Sequence, residues 1–397
     1  MLRPGDGAED APLQLRVGLL ANTFDNLFGI VAGGHVHFIE VAKRWPDCDV
    51  TVFAPESARA IITRELPRAR FVSMPSGERF IKPRLFRNLY RTVACVRRIN
   101  AIRGCDIVIA TSHFLPDVVP ASFKGRRSIV CVQHLLGPPW KRPGSVFANL
   151  VSSVFQAASI CLFRQFAGAV LVNSSDVAAR LRFRQAGRVY VMTHGVEHVN
   201  GAEPGALERD AASVLYLGRL VETKGIDDLL RAWALVIRAV PSARLTIAGV
   251  GAPRYLEELQ RLAARLGVQE SVRFCGFVTE EQKKQRLNAA SIFAFPSKEE
   301  GWGIVLAEAM AHGLPCITYD LPAYRSVFTR GRRWVAVNDV ESFARLITEL
   351  LTNDVLRSEL SADALSLSKA FSWEAAAAIE GRAVADVVGD RARGRRS

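Results

Sequence analysis

The sequence predicts an α/β protein built from two doubly wound domains, and three observations carry this prediction. The chain has 397 residues, which suits two domains of roughly 100–200 residues each. Short apolar runs alternate with stretches of helical periodicity, as in parallel strands joined by crossover helices. A polar break containing Gly and Pro at residues 200–210 divides this alternation into two series. We therefore expect two domains that face each other across a central cleft.

The predicted strands fall on either side of that break. The first series comprises residues 15–21, 50–54, 107–110, 128–132 and 169–173, with a weaker sixth strand at 190–192. The second series comprises residues 214–217, 244–248, 272–275, 292–295, 315–319 and 333–337. Predicted helices include residues 226–240, 255–266 and 304–311. Because the strands are short and apolar, we expect buried parallel sheets that bind ligands at the carboxyl ends of their strands.

The composition is that of an ordinary globular protein. Hydrophobic residues make up 49% of the chain and charged residues 23%, which excludes wholesale disorder and fibrous repeats. The seven cysteines are scattered without a C-x-x-C pair, so we expect reduced thiols and a cytosolic protein. The apolar run at residues 17–21 is too short for a signal peptide and is predicted to be the first strand.

Positive charge is concentrated in the N-terminal half. The net charge is +13, and residues 1–200 hold 26 basic and 14 acidic side chains. Residues 59–103 alone contain twelve basic residues and two acidic ones. Such a one-sided field attracts nucleic acid, anionic lipid headgroups or phosphorylated substrates. The alternative interpretation is a solvated, arginine-rich surface with no partner.

Residues 144–163 contain no charged side chain, and a membrane span must therefore be considered. Polar residues recur through this segment at helical spacing: Ser145, Asn149, Ser152, Gln156 and Ser159. This stripe favours an amphipathic helix packed on a sheet over a true span. The flanking basic residues and two phenylalanines also suit shallow contact with a bilayer surface, which is a second hypothesis.

The first motif that suits a chemical role is residues 218–225, GRLVETKG, between a predicted strand and a predicted helix. Gly218 allows close approach of the backbone, while Arg219 and Lys224 place two cations on one loop. An arginine fork, a lysine point charge and a following helix N-terminus together suit a diphosphate. The alternative is a turn with solvated charges.

The second motif is residues 296–310, PSKEEGWGIVLAEAM, which also joins a predicted strand to a helix. Glu300 lies in the turn, and Glu308 lies on the helix among apolar neighbours. Free amides at the helix start can take phosphate. A carboxylate with apolar neighbours needs a partner, and paired ribose hydroxyls would serve, unless Glu308 simply faces solvent.

Two weaker signals lie in the N-terminal half. Gly33 and Gly34 follow the first strand and can bring backbone amides up to an anion. His113 stands at the carboxyl end of a predicted strand, a position that favours a functional role.

Two other patterns predict nothing. The GVG at residues 249–251 is followed by Arg254 where a dinucleotide fingerprint needs Gly or Ala, so nicotinamide binding is not expected. The histidine pairs 35/37 and 194/198 bring no third ligand, so no metal site and no cofactor are expected.

From about residue 15 to residue 385, an ordered series of motifs resembles the retaining glycosyltransferases of family 4, which have the GT-B architecture. The series runs GG at 33–34, DIV at 106–108 leading to His113, VQH at 132–134, VNS at 172–174, GVE at 195–197, GR at 218–219 with KG at 224–225, GFV at 276–278, Glu300 with Glu308, Pro315, and FSW at 371–373. The resemblance implies two Rossmann-like domains. Residues 1–198 would lie on the acceptor side and residues 199–373 would bind the nucleotide sugar. A helix at 374–390 would cross back to the first domain, before a disordered basic tail at 391–397.

The resemblance also implies roles for individual residues. Arg219 and Lys224 would bind the donor diphosphate, Glu300 the donor sugar and Glu308 the ribose hydroxyls, while His113 would contact the transferred sugar. Backbone near Val278 would read the base, and Gly34 would approach the phosphate. The expected catalytic residues are His113, Arg219, Lys224 and Glu300. The expected donor-binding residues are Gly33, Gly34, Gly218, Val278, Ser297, Gly301, Trp302, Gly303, Ile304, Val305 and Glu308.

The implied reaction is front-face transfer from a UDP- or GDP-sugar to a hydroxyl acceptor with retention, requiring neither metal nor cofactor. The acceptor would be a glycan or a lipid-linked envelope precursor, and the protein would be cytoplasmic or peripheral on the inner membrane face. Departures at His194, where the family often has Asn, and at Trp302, where Phe is common, leave the donor sugar open. A basic nucleic-acid-binding protein and an inactive GT-B binding protein are the alternatives, although no recognised nucleic-acid motif is present.

Overall fold

The computed structural model describes residues 14–24, 33–77, 84–142, 145–183, 188–198 and 209–394. Most of the polar break predicted at 200–210 and the last three residues of the predicted tail lie outside these ranges. The described chain forms two parallel β-sheets covered by helices, which confirms the predicted fold class.

The first sheet has seven parallel strands in the order β3-β2-β1-β4-β5-β6-β7. They are β1 Leu15–Leu20, β2 Cys48–Pro55, β3 Arg70–Met74, β4 Ile107–Ala110, β5 Ser128–Val132, β6 Ala169–Val172 and β7 Val189–Val191. Successive strands are added on one side of β1 (β2, β3) and then on its other side (β4 to β7), as in doubly wound folds. A crevice therefore opens at the carboxyl ends of β1 and β4, where this reversal of strand order occurs.

The second sheet has six parallel strands in the order β10-β9-β8-β11-β12-β13. They are β8 Ser213–Leu217, β9 Arg244–Ala248, β10 Val272–Gly276, β11 Ile292–Phe295, β12 Cys316–Tyr319 and β13 Arg332–Val335. Its equivalent reversal lies between β8 and β11, which are the strands that precede the two motifs at residues 218–225 and 296–310.

Fifteen α-helices lie within the described ranges. They are α1 Gly33–Lys43, α2 Arg59–Glu65, α3 Arg84–Ala94, α4 Ile99–Gly104, α5 Leu115–Ser122, α6 Val146–Phe166, α7 Ser175–Leu181, α8 Ile226–Ala239, α9 Pro253–Arg265, α10 Glu280–Ala289, α11 Ile304–Ala311, α12 Pro322–Arg325, α13 Val340–Thr352, α14 Asp354–Ser368 and α15 Trp373–Gly394. Helices cover both faces of each sheet, which is why the strands read as continuous apolar runs.

Every predicted strand is present within a residue or two of its predicted ends, but the sequence prediction missed β3. This strand forms the edge of the first sheet, and only Met74 in it is buried. It lies within the basic segment 59–103, where the charges obscured its short apolar run. An edge strand that is half solvated carries a weak hydrophobic pattern, and this explains the omission.

The last helix, α15, returns to the first sheet. It packs on α1 and on β5, β6 and β7, and its Ala383, Val384 and Val387 belong to the core on that face. The helix ends at Gly394, so residues 391–394, which we expected to be disordered, are helical. Alanine and arginine are good helix formers, and the helix therefore continues through them.

Helix α6 corrects our expectation for residues 144–163. The polar stripe faces the protein: Asn149 and Ser159 are buried, and the Gln156 Oε1 accepts a hydrogen bond from the Leu136 amide (2.9 Å). The helix packs against α5 and the turn before it, and its Phe163 is fully buried in the core that covers β5 and β6. Its N-terminal apolar side chains, including Phe147 and Leu150, are exposed. By length and composition α6 could also cross a membrane, the one such helix in the described ranges.

Candidate active site

The carboxyl ends of the two sheets meet across a cleft. A β-carbon on Gly301, in the loop after β11, would lie 2.8 Å from the Gln133 carbonyl oxygen after β5 and 3.3 Å from Nδ2 of Asn173 after β6. Only a residue without a side chain allows the two domains to approach this closely. The loop that contains Glu300 is thereby held against the first domain.

The loop after β8 carries the two predicted cations. Gly218 has a φ of +156°, and the Tyr216 hydroxyl donates a hydrogen bond to the Arg219 carbonyl (3.0 Å), which fixes the turn. The side chain of Arg219 is exposed and forms no ion pair with any described residue. Lys224 is nearly buried beside Glu300. The motif therefore presents one free guanidinium and one paired ammonium.

Lys224 and Glu300 form an ion pair that joins the loops after β8 and β11. Their side chains are only 12% and 15% exposed, and the Lys224 Nζ also donates to the Glu299 carbonyl (3.4 Å). At Gly225, φ is +65° and a β-carbon would lie 2.2 Å from the Pro296 carbonyl oxygen. The two motifs thus form one continuous surface, and a ligand that takes Lys224 must compete with Glu300.

The start of α11 offers backbone amides to this surface. Gly303 has a φ of +105°, and a β-carbon there would lie 2.9 Å from Cε1 of Tyr324. The amides of Ile304 and Val305 fall in the first turn, where a helix has no acceptors of its own. Ser297 is buried, and its hydroxyl donates to the Glu299 carbonyl (3.0 Å), so it shapes the loop.

The ring of Trp302 does not face the cleft. The side chain is 3% exposed and packs against His194, Phe328 and Phe371. A donor contact at this position would have to come from the backbone amide. The ring instead joins the second domain to the connecting segment that contains His194.

Glu308 lies on α11, as predicted, and meets a cation that the sequence analysis did not single out. Its Oε1 is 2.8 Å from the Nζ of Lys283 on α10, and the two side chains are 22% and 16% exposed. Burial raises the pKa of Glu308, and Lys283 opposes this shift. Burial also acts to lower the pKa of Lys283, yet Glu308 and Glu280 hold that pKa above its ordinary value. No spacing or motif in the sequence signalled this pair, because Leu287 is the one large apolar residue of α10 and no apolar stripe shows which of its polar side chains face α11.

His113 lies deep in the wall of the first domain. It is 1% exposed, its Nε2 is 3.2 Å from the Gln156 Oε1, and its carbonyl accepts a hydrogen bond from Ser159 (2.6 Å). The amide oxygen can only accept, so we assign the proton to Nε2, which leaves the buried Nδ1 without a partner in the described structure. Burial, aided by His134, lowers the pKa of His113 to about 3. The imidazole is therefore neutral, with a lone pair on Nδ1.

The remaining predicted residues lie around the same cleft. Gly33 opens α1, and a β-carbon on Gly34 would lie 2.1 Å from Nε2 of Gln133, so the helix start and the loop after β5 touch. Val278 is partly buried against the core of the second domain, in the loop between β10 and α10. Within the described part of the chain, no group of three or more His, Cys, Asp or Glu side chains could hold a metal ion.

Comparison with known proteins agrees with this architecture. Residues 203–366 match the family model described as Glycosyl transferases group 1, and this range contains β8 to β13 and both motifs. The structure of Anabaena HepE in complex with UDP-glucose superimposes on 95% of this chain and 100% of that chain, with a TM-score of 0.72 and 18% identity. The protein therefore has the GT-B fold, and its C-terminal half carries a Glycosyl transferases group 1 domain.

Two curated relatives extend the comparison in sequence. The D-inositol 3-phosphate glycosyltransferase of a Nocardioides species is 34% identical over 183 residues, 42% of this chain and 40% of that protein. The phosphatidyl-myo-inositol mannosyltransferase of Mycobacterium leprae is 31% identical over 246 residues, 59% of this chain and 63% of that protein. The alignments thus span less than two thirds of either relative.

Proposed function

We propose that the protein is a metal-independent, retaining glycosyltransferase of family 4 that transfers a sugar from a UDP- or GDP-sugar to a hydroxyl acceptor. The observation that carries this proposal is the ion pair between Lys224 and Glu300, which joins the loops after β8 and β11. Arg219 lies on the first of these loops, and Glu308 lies on the helix that follows the second. These residues lie in the domain that matches Glycosyl transferases group 1. This complement of two cations, two carboxylates and free amides suits a nucleoside diphosphate joined to a sugar.

The donor's charges and hydroxyls find matching groups on this surface. Arg219 is free to fork onto phosphate oxygens, and the diphosphate would draw Lys224 away from Glu300. Glu300 would then accept hydrogen bonds from the sugar, while Glu308 would accept them from the ribose. The amides of Ile304 and Val305 add partial positive charge at the helix start.

The reaction requires charge stabilisation rather than a protein nucleophile. The bond between the anomeric carbon and the phosphate oxygen breaks, and its electron pair passes to the phosphate. The acceptor oxygen bonds to the same face of the anomeric carbon, and its proton passes to the leaving phosphate. Arg219 and Lys224 stabilise the charge that develops on the diphosphate, which is the role that preorganised cations perform best. Neutral His113 would accept a hydrogen bond from the sugar at Nδ1.

We further propose that the acceptor is a glycan or a lipid-linked envelope precursor, reached from the cytoplasmic face of a membrane. Two relatives act, by their names, on an inositol phosphate and on a phosphatidylinositol, so phosphorylated polyols and lipids are the first acceptors to assay. All seven cysteines are unpaired, as is usual in a reducing compartment.

The membrane contact would be made by the exposed apolar faces of α3 and α6, which both pack against α5. Large apolar side chains stand out from these helices and the turns beside them: Phe86, Leu89, Val93, Val96, Trp140, Val146, Phe147, Leu150 and Val154. Exposed Arg97 and Arg103 lie in the same region of a strongly basic half-chain. Exposed apolar side chains in a basic part of the chain suit an anionic bilayer surface.

A donor screen tests the catalytic proposal. Thermal unfolding is followed with UDP-, GDP- and ADP-sugars, and the true donor raises the melting temperature by mass action. Arg219→Ala and Lys224→Ala should abolish the shift, whereas His113→Ala should keep it and slow transfer. Transfer should persist in EDTA. A salt-sensitive shift in the electrophoretic mobility of generic DNA, with no donor binding, would instead favour a nucleic-acid-binding protein. Full biological function in Arg219→Ala and Glu300→Ala would favour an inactive GT-B protein.

Vesicle flotation tests the membrane proposal. We expect recovery with vesicles that contain phosphatidylglycerol and little recovery with phosphatidylcholine alone. Phe147→Glu combined with Leu150→Glu should abolish flotation. The matched control is Val355→Glu on α14 in the other domain. Val355 is 70% exposed, against 76% for Phe147, and this variant should float like the parent protein. Equal recovery with neutral and anionic vesicles would overturn the proposal.

A further inference from the structure

Lys283 lies at a position where the helix dipole alone does not favour a lysine. It lies in the first turn of α10, and its amide bonds to the Thr279 carbonyl (2.8 Å) in a helix fixed by a capping box between Thr279 and Gln282. The N-terminus of a helix carries partial positive charge and therefore disfavours a cation. Lys283 offsets this cost by pairing with Glu280 on its own helix and with Glu308 on α11.

Two carboxylates form ion pairs with the Lys283 ammonium group. Its Nζ lies 2.6 Å from Glu280 and 2.8 Å from Glu308. Glu280 is 80% exposed, so water could satisfy it, while Glu308 is mostly enclosed on α11 and depends on Lys283 for a cationic partner. An ammonium group has three N–H donors, which leaves one for a ligand or water.

The packing of α10 against α11 does not depend on this ion pair. Asn288 of α10 and His312 at the end of α11 are joined by a hydrogen bond between Oδ1 and Nδ1 (2.6 Å), and Leu287 is fully buried in the core. Lys283 can therefore be changed without separating the helices, and its role can be tested apart from folding.

We propose that Lys283 is a positioning residue that holds the Glu308 carboxylate in place to accept hydrogen bonds from the ribose hydroxyls of a bound nucleoside diphosphate. This inference rests on the proposed function, because it takes Glu308 to be the ribose-binding residue. It adds a residue on α10 to a donor site otherwise built from the loops after β8 and β11. A fixed carboxylate accepts two neighbouring hydroxyls better than a mobile one.

Charge gives the proposal a second, independent consequence. Lys283 is the cation that faces Glu308, whereas Glu280 and Glu197 are carboxylates that act to raise its pKa. Removal of Lys283 should therefore raise the pKa of Glu308 further. Glu308 would then gain a proton at a higher pH than in the parent protein and, once protonated, would accept ribose hydroxyls less well.

Calorimetric titration with UDP and GDP, beside their 2′,3′-dideoxy analogues, tests the inference. The parent protein should prefer the better-binding ribonucleotide to its analogue. Lys283→Met should weaken the ribonucleotide about tenfold, the worth of one charged hydrogen bond, and leave the analogue within about twofold. As the pH is lowered, the ratio of the two affinities should begin to fall at a higher pH in Lys283→Met than in the parent protein, and this ratio cancels titration of the phosphate. If the Met variant does not fold, Lys283→Gln is measured in its place.

The control is Lys284→Met, which removes the neighbouring exposed lysine that pairs with Glu197 and should leave the ratio unchanged. Equal losses for ribonucleotide and analogue, or no loss in Lys283→Met, would overturn the role of Lys283 while donor binding stands. Failure of the parent protein to bind any nucleoside diphosphate would instead overturn the proposed function and, with it, this inference.

Discussion

Single charges in the cleft carry different amounts of stability. Lys224 is 12% exposed and paired with Glu300, so Lys224→Met leaves a nearly buried carboxylate without its cation. We expect this variant to lose about 1–3 kcal/mol of unfolding free energy as well as donor binding. Arg219→Ala removes an exposed side chain without an ion pair, so its stability should stay within about 0.5 kcal/mol although it too loses the donor. Chemical denaturation of both variants without ligand measures these free energies. A lower unfolding free energy for Arg219→Ala than for Lys224→Met would contradict this expectation.

Asp117 at the start of α5 gives stability a dependence on pH. Its carboxylate accepts hydrogen bonds from the Asn22 amide (2.6 Å) and the Thr23 hydroxyl (2.7 Å), and Ser112 also donates to it. Burial nevertheless raises the pKa of Asp117 to about 6. The folded protein then holds the proton more tightly than the unfolded chain, whose aspartate pKa is about 4, so stability from this group is lost as the pH rises from 4 through 6.

Asp117→Asn tests this dependence. The parent protein should lose up to about 3 kcal/mol through Asp117 across that window, since two pKa units are worth this much. His113 acts in the opposite sense, because its pKa of about 3 makes stability rise as the pH rises from 3 to 6.5. The measurement is therefore the difference in unfolding free energy between parent and variant at pH 4, 5, 6 and 7. A difference that does not change with pH would contradict the assignment.

At the scale of the element, the start of α11 depends on one backbone conformation. Gly303 has a φ of +105°, and an added methyl would lie 2.9 Å from the Tyr324 ring. Gly303→Ala should cost about 2 kcal/mol or more, and it should disturb donor binding through the amides that follow. The control is Gly389→Ala in α15, where nothing lies within 4 Å and alanine should stabilise the helix by up to about 1 kcal/mol. Thermal unfolding of the two variants should move in opposite directions.

Elements were predictable from the sequence where both faces of a strand are buried. Strands β4 and β11 have four buried residues each, and such runs have a clear signal. The edge strand β3 has no such run and was missed. The buried face of α6 was also not predictable, because it depends on partners that are distant in the sequence. Here the partners of Gln156 are His113 and Leu136.

The same distinction applies to the site. Motif position predicted that Lys224, Glu300 and Glu308 follow strands at the carboxyl edge of the second sheet, since the carboxyl ends of all strands in a parallel sheet lie at one edge. It gave no indication of Lys283, which reaches Glu308 from another helix, or of the burial of the Trp302 ring. Which charges pair in the free protein is a property of the packed loops, and no local pattern encodes it.

At the scale of the whole molecule, the two halves of the chain are joined at more than the cleft. The segment at Gly195 lies so close to Trp373 that a β-carbon would fall 2.3 Å from the Trp373 amide nitrogen. His37 of α1 pairs with buried Glu380 of α15. The C-terminal helix is therefore part of the N-terminal domain's core, and the stability of that domain depends on residues almost 200 positions away from its last strand.

This dependence can be measured with a matched pair of substitutions on α15. Val384 is buried against the first sheet, whereas its neighbour Ala385 is exposed. Val384→Asp places an unpaired carboxylate in an apolar core and should cost about 3 kcal/mol or more, whereas Ala385→Asp should stay within about 0.5 kcal/mol. Hydrogen exchange should show lost protection in β5, β6 and β7, which contact α15, while β8 to β12 keep theirs. If Val384→Asp loosened only α15 itself, the first sheet would be stable without the helix, and the N-terminal domain would not need the end of the chain to fold.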